Sequence, residues 1–190
     1  MLSEKQFRER AKVELREIGK QVASLATDRD IYRKLERDVI AKNPRLENSR
    51  SAFIDMVRGA YTDAMAIRVA RLTDADNIIG LTLGRVLTQI GEYPQLLHDK
   101  VGDREFANDC AALERAGENL REAWDPSFSP RERTPAALAS THRALDEAID
   151  TMIAMLKTYY WAVAEGHLDL EVSYAEDPLA IFRFAWIEGE

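Results

Sequence analysis

From Ala60 to Gln89 the chain reads AYTDAMAIRVARLTDADNIIGLTLGRVLTQ, its most apolar and least interrupted stretch. Around it, apolar side chains fall at nearly every helical angle. Ile54, Met65 and Val69 lie on one side, and Phe53, Val57, Ala64 and Ile67 on another. A helix that is apolar on more than one face belongs inside a bundle, walled by other helices. The rod 53–71 is therefore the expected centre, with amphipathic helices packed around it. The expected fold class is all-α.

Composition agrees with that class. The 190 residues suit one domain with a substantial core. Hydrophobic residues make up 46% and charged residues 31%, with only 9 Gly and 6 Pro, the profile of a soluble, helix-rich globular protein. No apolar run approaches the roughly 20 residues that span a bilayer. The stretch MLSEKQFRER is charged throughout and lacks the apolar core of a signal peptide. A cytoplasmic location without a membrane partner is the expectation. The single cysteine, Cys110, excludes an intrachain disulfide and a cysteine-cluster metal site. Net charge is −7, unevenly spread: residues 1–50 carry 13 Lys+Arg against 9 Asp+Glu, and the rest carry 13 against 24. Such asymmetry marks an electrostatic partner surface or lets one part of a fold, or one subunit, attract another.

Periodicity predicts six helices and a short C-terminal arm. The first runs from an N-cap at Ser3 to about Ala26, with Phe7, Ala11, Leu15, Ile18, Val22 and Leu25 as a narrow apolar seam. The second, about Arg29 to Lys42, buries Ile31, Leu35 and Val39 and ends before Pro44. The third starts near Asn48 or Ser49 and ends at Arg71, followed by a Thr73–Asp76 turn whose side chains can cap the next helix. The fourth spans roughly Ile78 to Ile90 and is broken by Gly91 and Pro94. The fifth, about Asp103 to Trp124, carries Gly117 on its buried face, where it allows close helix approach. The segment 125–134 is the clearest loop. The sixth begins at Thr134 and Pro135, keeps a four-three spacing from Leu138 to Val163, and stops at Gly166. Beyond it Leu168, Leu170, Val172 and Tyr174 alternate as in a strand, and Leu179 to Ile187 reads either as a second strand or as a short helix. The expected organisation is a bundle over 1–166 and an arm over 167–190 that packs on the bundle or on a second subunit.

Few residues are arranged for chemistry. None of His98, His142 and His167 has a carboxylate three residues before it, so the paired ligands of a metal-binding bundle are missing and no metal or cofactor is expected. No Gly-x-Ser-x-Gly elbow or Gly-rich phosphate loop occurs, and Cys110 falls on an apolar helix face where a thiol is inert. His142 occupies an apolar heptad slot. It is either a core histidine bonded to a neighbour or a titratable group with a chemical role. Lys5, Arg8, Lys12, Arg16 and Lys20 form one basic row and Arg29, Arg33 and Arg37 another. Such rows either track a phosphate backbone or are solvated faces, and here Glu4, Glu9, Glu17 and Glu36 interleave them without stacking aromatics.

The stretch Ile67-Arg-Val-Ala-Arg-Leu-Thr-Asp74, followed by Gly80-Leu-Thr-Leu-Gly-Arg-Val-Leu87, resembles the abortive-infection (AbiU-like) branch of the HEPN superfamily. Members have a helix ending in an Arg-Leu-x-Asp type turn, a helix opening with a small-Leu-x-Leu pattern, and a later helix pair joined by a loop. The resemblance covers about residues 50–165 in order and type of element. It implies an all-α bundle, frequently dimeric, with many members acting as metal-independent ribonucleases. Their motif is an Arg on the penultimate helix followed four to six residues later by His, a pairing for acid–base and electrostatic catalysis. Arg121 matches the arginine. Pro126, Ser127 and Phe128 stand where the histidine belongs, and no Arg in the chain has a His at that spacing.

Three functions follow from these residues. The favoured one is a non-catalytic, self-associating interaction module, expected as a dimer, in bacterial defence or stress of the toxin–antitoxin or abortive-infection type. The second is a ribonuclease in which His142 replaces the missing base near Arg121 and Asp125 orients one of them. The third is an RNA binder without chemistry that uses Lys5, Arg8, Lys12, Arg16, Arg29, Arg33 and Arg37.

Overall fold

The computed structural model describes residues 3–43, 52–77, 79–97, 100–124, 127, 134–172, 174 and 176–180. These residues form five α-helices and no strand: α1 (Glu4–Lys34), α2 (Ala52–Thr73), α3 (Leu83–Gly91), α4 (Asp103–Ala123) and α5 (Pro135–Ala164). A π-helical stretch, Leu35–Ile40, continues α1, and one 3₁₀ turn, Pro94–Leu96, follows α3.

The count is five rather than six because the first two expected helices are one. Nothing between Ala26 and Arg29 is a Gly or a Pro, so the backbone has no reason to leave the helix. α1 opens with a capping box in which Gln6 N donates to Ser3 Oγ at 3.3 Å and Ser3 N donates to Gln6 Oε1 at 3.0 Å. Its seam, Phe7 to Leu25 in steps of three and four, is buried throughout.

α3 starts later than the apolar pattern suggests. Asn77 Oδ1 accepts from Gly80 N at 2.8 Å, holding a turn open. Thr82 then caps the helix by accepting from Arg85 N at 3.2 Å, while its hydroxyl donates to Asp74 O at 2.6 Å. At the start of α5, Thr134 accepts from Ala137 N and Pro135 takes the first turn, as expected. The end differs: Glu165, not Gly166, adopts the left-handed conformation, with φ 54°. Lys100 compensates for that backbone by donating to Ala162 O at 3.1 Å and to Glu165 Oε1 at 2.9 Å.

The centre of the bundle is α5, not 53–71. Ala148, Ile149, Met152, Leu156 and Tyr159 are fully enclosed, and α5 packs most extensively against α4 and α1. α2 buries only one of its two apolar sides. Ile54, Met65 and Val69 are covered, whereas Phe53 is 60%, Met56 46% and Ile67 56% exposed. The neighbouring helices of the described chain all lie on the covered side and leave the other open.

The arm is not a strand. No second segment pairs with Leu168–Val172 among the described residues, and an alternating pattern marks a shared face without providing a hydrogen-bond partner. Leu168 and Leu170 lie over Gly19 of α1, where an added Cβ would come 3.2 Å from Leu168 Cδ1 and 3.6 Å from Leu170 Cδ2. The Tyr174 hydroxyl donates to Asp30, and Lys34 Nζ sits 4.3 Å from the Tyr174 ring centre. Leu168, Leu170 and Tyr174 thus lie along α1 of their own chain. The apolar stretch Phe182 to Trp186 lies outside the described residues.

Candidate functional site

Three elements bring polar side chains together around His142. Tyr32 comes from the last turns of α1, Glu36 from the π-helical stretch, Arg58, Tyr61 and Thr62 from α2, and His142 and Asp146 from α5. Tyr61 and Thr62 follow Arg58 by three and four residues, and Glu36 and Asp146 follow Tyr32 and His142 by four, so each set shares a face.

Half-buried His142 meets α2 through Nε2, which is 2.8 Å from Thr62 Oγ1. The Thr62 hydroxyl has one proton, and Arg58 O, at 2.7 Å, is placed to accept it. Nε2 then carries the ring hydrogen and donates to Oγ1, leaving the lone pair on Nδ1. Tyr32 and Tyr61 stack with ring centres 3.8 Å apart and planes 2° from parallel. The imidazole packs edge-on to both, at 5.2 and 5.8 Å. Arg58 forks onto Glu36 with Nε–Oε1 2.7 Å and Nη2–Oε2 2.8 Å, and the Tyr32 hydroxyl donates to Glu36 Oε1 at 2.9 Å. One turn beyond His142, Asp146 accepts from Arg33 at 2.7 Å.

Burial and neighbouring charges set the protonation states. Burial lowers the pKa of His142 and outweighs the upward pull of Asp146 and Glu36, so the neutral ring is favoured. Burial also acts on Glu36, upward, but the hydrogen bonds from Arg58 and Tyr32 win, and its carboxyl titrates below the ordinary range. Tyr32 and Tyr61 are both pushed well above the ordinary phenol range, first by burial, then by Glu36 for Tyr32 and by Asp146 for Tyr61. The tyrosines therefore stay protonated, and the site holds one neutral imidazole beside two ion pairs, Arg58–Glu36 and Arg33–Asp146.

Arg121 stands elsewhere. It lines a cavity of about 220 Å³ with Thr73, Asp74, Gly84, Cys110 and Glu114. No hydrogen bond or ion pair holds its exposed guanidinium among the described residues. Gly117 lets α4 close on the end of α2, since a Cβ there would lie 2.7 Å from Thr73 Oγ1. His142 is not among the residues of this cavity. The ends of α4 and α5 are nevertheless tied together, because Thr141 Oγ1 donates to Ala123 O at 2.7 Å. The two helix ends thus meet, as the joining loop leads one to expect, while Arg121 and His142 point into different surroundings. Asp125 lies outside the described residues.

Most of the basic rows are already engaged. Arg29 pairs with Asp150 at 2.7 Å, Arg33 with Asp146 at 2.7 Å and Arg37 with Asp38 at 2.7 Å. Arg16 donates to Tyr160 Oη at 3.0 Å, and Arg8 lies 3.7 Å from Glu4. Lys5 and Lys12 have no partner among the described residues.

The sequence singled out His142 but not Tyr32, Arg58, Tyr61 or Thr62. The pairs Tyr32/Glu36 and Arg58/Thr62 share a face by spacing, yet the link from residue 62 to residue 142 is a tertiary fact. Among the described residues no group of three or more His, Cys, Asp or Glu is placed to hold a metal ion, and no helix is long and apolar enough to cross a membrane. No family model, curated protein or solved structure matches this chain.

Proposed function

We propose that this protein is a non-catalytic, self-associating helical interaction module of HEPN-like type, serving bacterial defence or stress in the toxin–antitoxin or abortive-infection manner. One observation carries the reading. His142 is bonded to Thr62 and boxed by Tyr32 and Tyr61, while Arg121 lines a separate cavity. Acid–base catalysis needs the base and its electrostatic partner within hydrogen-bond reach of one reacting group. Support for self-association comes from the uncovered apolar side of α2, since contiguous exposed apolar surface marks an interaction site.

The second reading is a metal-independent ribonuclease centred on His142. It is favoured by the presence in the His142 cluster of a guanidinium other than the expected one: Arg58, one turn before Thr62 on α2. Purified protein incubated with structured RNA, beside His142→Ala, separates the two. Equal background cleavage by both supports the module, and cleavage lost with His142 supports the nuclease. RNA binding through the N-terminal rows is the third reading, resting on Lys5 and Lys12, and requires affinity that falls steeply with salt.

A further inference from the structure

Along the outer side of α2 run Phe53, Met56, Ala60, Ala64 and Ile67, in steps of three and four, and all five face solvent. The next step is Arg71, exposed and without an ion pair or hydrogen bond among the described residues. The stripe from 53 to 71 is roughly 27 Å long at about 1.5 Å per residue. The charged groups at its two margins already have partners in this chain. Arg68 is paired with Asp28 at 2.5 Å, and Asp63 accepts from Trp124 Nε1 at 2.8 Å. Covering the stripe therefore leaves Arg68 ion-paired and Asp63 hydrogen-bonded at those margins.

The order of side-chain sizes points to what covers it. Reading outward from the midpoint between Ala60 and Ala64, small residues give way to bulky ones in both directions: Met56 and Phe53 on one side, Ile67 and the long Arg71 on the other. A partner of different sequence has no need of such symmetry. A two-fold axis through that midpoint makes the stripe complementary to itself, because it sets small against small at 60 and 64 and Phe53 against Arg71, each pair twice over.

We propose, building on the self-association inferred above, that α2 crosses the α2 of a second copy antiparallel about that midpoint. Ala60 faces Ala64 of the second copy, and these small side chains let the axes approach to about 8 Å at the crossing. Met56 meets Ile67 where the axes begin to diverge. Phe53 lies against the guanidinium of Arg71, a cation–π pair at each end of the interface. The second copy covers the apolar side of α2 that its own chain leaves exposed.

Light scattering on the full chain across a concentration series tests the surface, with Ile67→Glu as the probe and Val13→Glu, 57% exposed on α1, as the control. Wild type and Val13→Glu are expected to dimerise. Ile67→Glu is expected to weaken the dimer at least about 100-fold while keeping the control's thermal midpoint at dilutions where both proteins are monomeric. A second measurement uses Ala60→Cys and Ala64→Cys proteins in a Cys110→Ser background. Oxidation is expected to link them in a mixture and not within either alone. A dimer that survives Ile67→Glu would overturn the α2 interface and leave self-association standing. A wild type that stays monomeric at every concentration would overturn both. Cross-linking within Ala60→Cys alone would overturn the antiparallel crossing.

Discussion

The His142 cluster and the Arg121 cavity contain similar ingredients, one candidate catalytic cation or base amid carboxylates, and differ in how far those ingredients are satisfied. Around His142 the charged groups and the Thr62 hydroxyl are matched: Glu36 receives a guanidinium and a phenol, Thr62 bridges imidazole to backbone, and two stacked aromatic rings pack against the imidazole. Around Arg121 the frame is tight but its contents are not, since the glycine walls press on the backbone while the guanidinium meets solvent. The difference separates two uses of polar residues. The first fixes how α1, α2 and α5 meet, and its members are interdependent because each would be stranded without the others. The second leaves a charge at the surface, where its removal disturbs little.

That contrast can be broken or sharpened by substitution. The largest effect is expected at the frame of the cavity: a Cβ on Gly84 would lie 2.6 Å from the backbone oxygen of Thr73. Gly84→Ala should destabilise the fold by about 3 kcal/mol in urea unfolding. A near-neutral result would mean that the turn at Thr73–Asp76 gives way freely. Next comes Arg58→Ala, which leaves half-buried Glu36 without its cation. A loss of about 1–2 kcal/mol is expected, below the fully buried range because the two side chains keep 31% and 28% of their surface exposed. An unchanged urea midpoint would show the ion pair to be incidental.

A smaller, pH-dependent effect follows from His142. Its ordinary value is 6.5 and the fold holds it lower. As pH falls through 6.5, the unfolded chain takes up this proton before the folded one does, so stability drops until the folded ring titrates too. Above that window the residue contributes no slope. Glu36, also held below its ordinary value of 4.5, adds a further loss at more acid pH. His142→Gln should flatten the urea midpoint near pH 6, and a slope unchanged by that substitution would locate the sensitivity in another group. Least of all is expected from Arg121→Ala, under about 0.5 kcal/mol, because no partner holds the side chain. A substantially larger loss would mean that the cavity depends on its guanidinium.

Much of the architecture was legible in the chain. The seams of α1, α4 and α5 follow from three- and four-residue steps, and Ser3, Thr134 and Pro135 mark helix starts by chemistry that acts within one turn. The misreadings share a cause. The sequence suggests a break after Ala26, where no residue interrupts the helix, and a strand over Leu168–Tyr174, where Leu168, Leu170 and Tyr174 pack on α1 and no pairing partner lies among the described residues. The two apolar sides of the rod 53–71 suggest a central position, but only one of them is covered. The functional residues show the same division. His142 stood out as a histidine in an apolar slot, whereas Arg58 and Tyr61 look like ordinary helix residues until Tyr32 and His142 arrive beside them.

What the sequence determined by itself is which side chains share a face and where several helices begin, because both depend on neighbours a few bonds away. What only the tertiary structure decided is which face is covered and which polar groups meet. The contact of Thr62 with His142 joins residues 80 positions apart in the chain. The choice of α5 over α2 as the centre depends on how all the helices fill space together, and no local spacing encodes that sum.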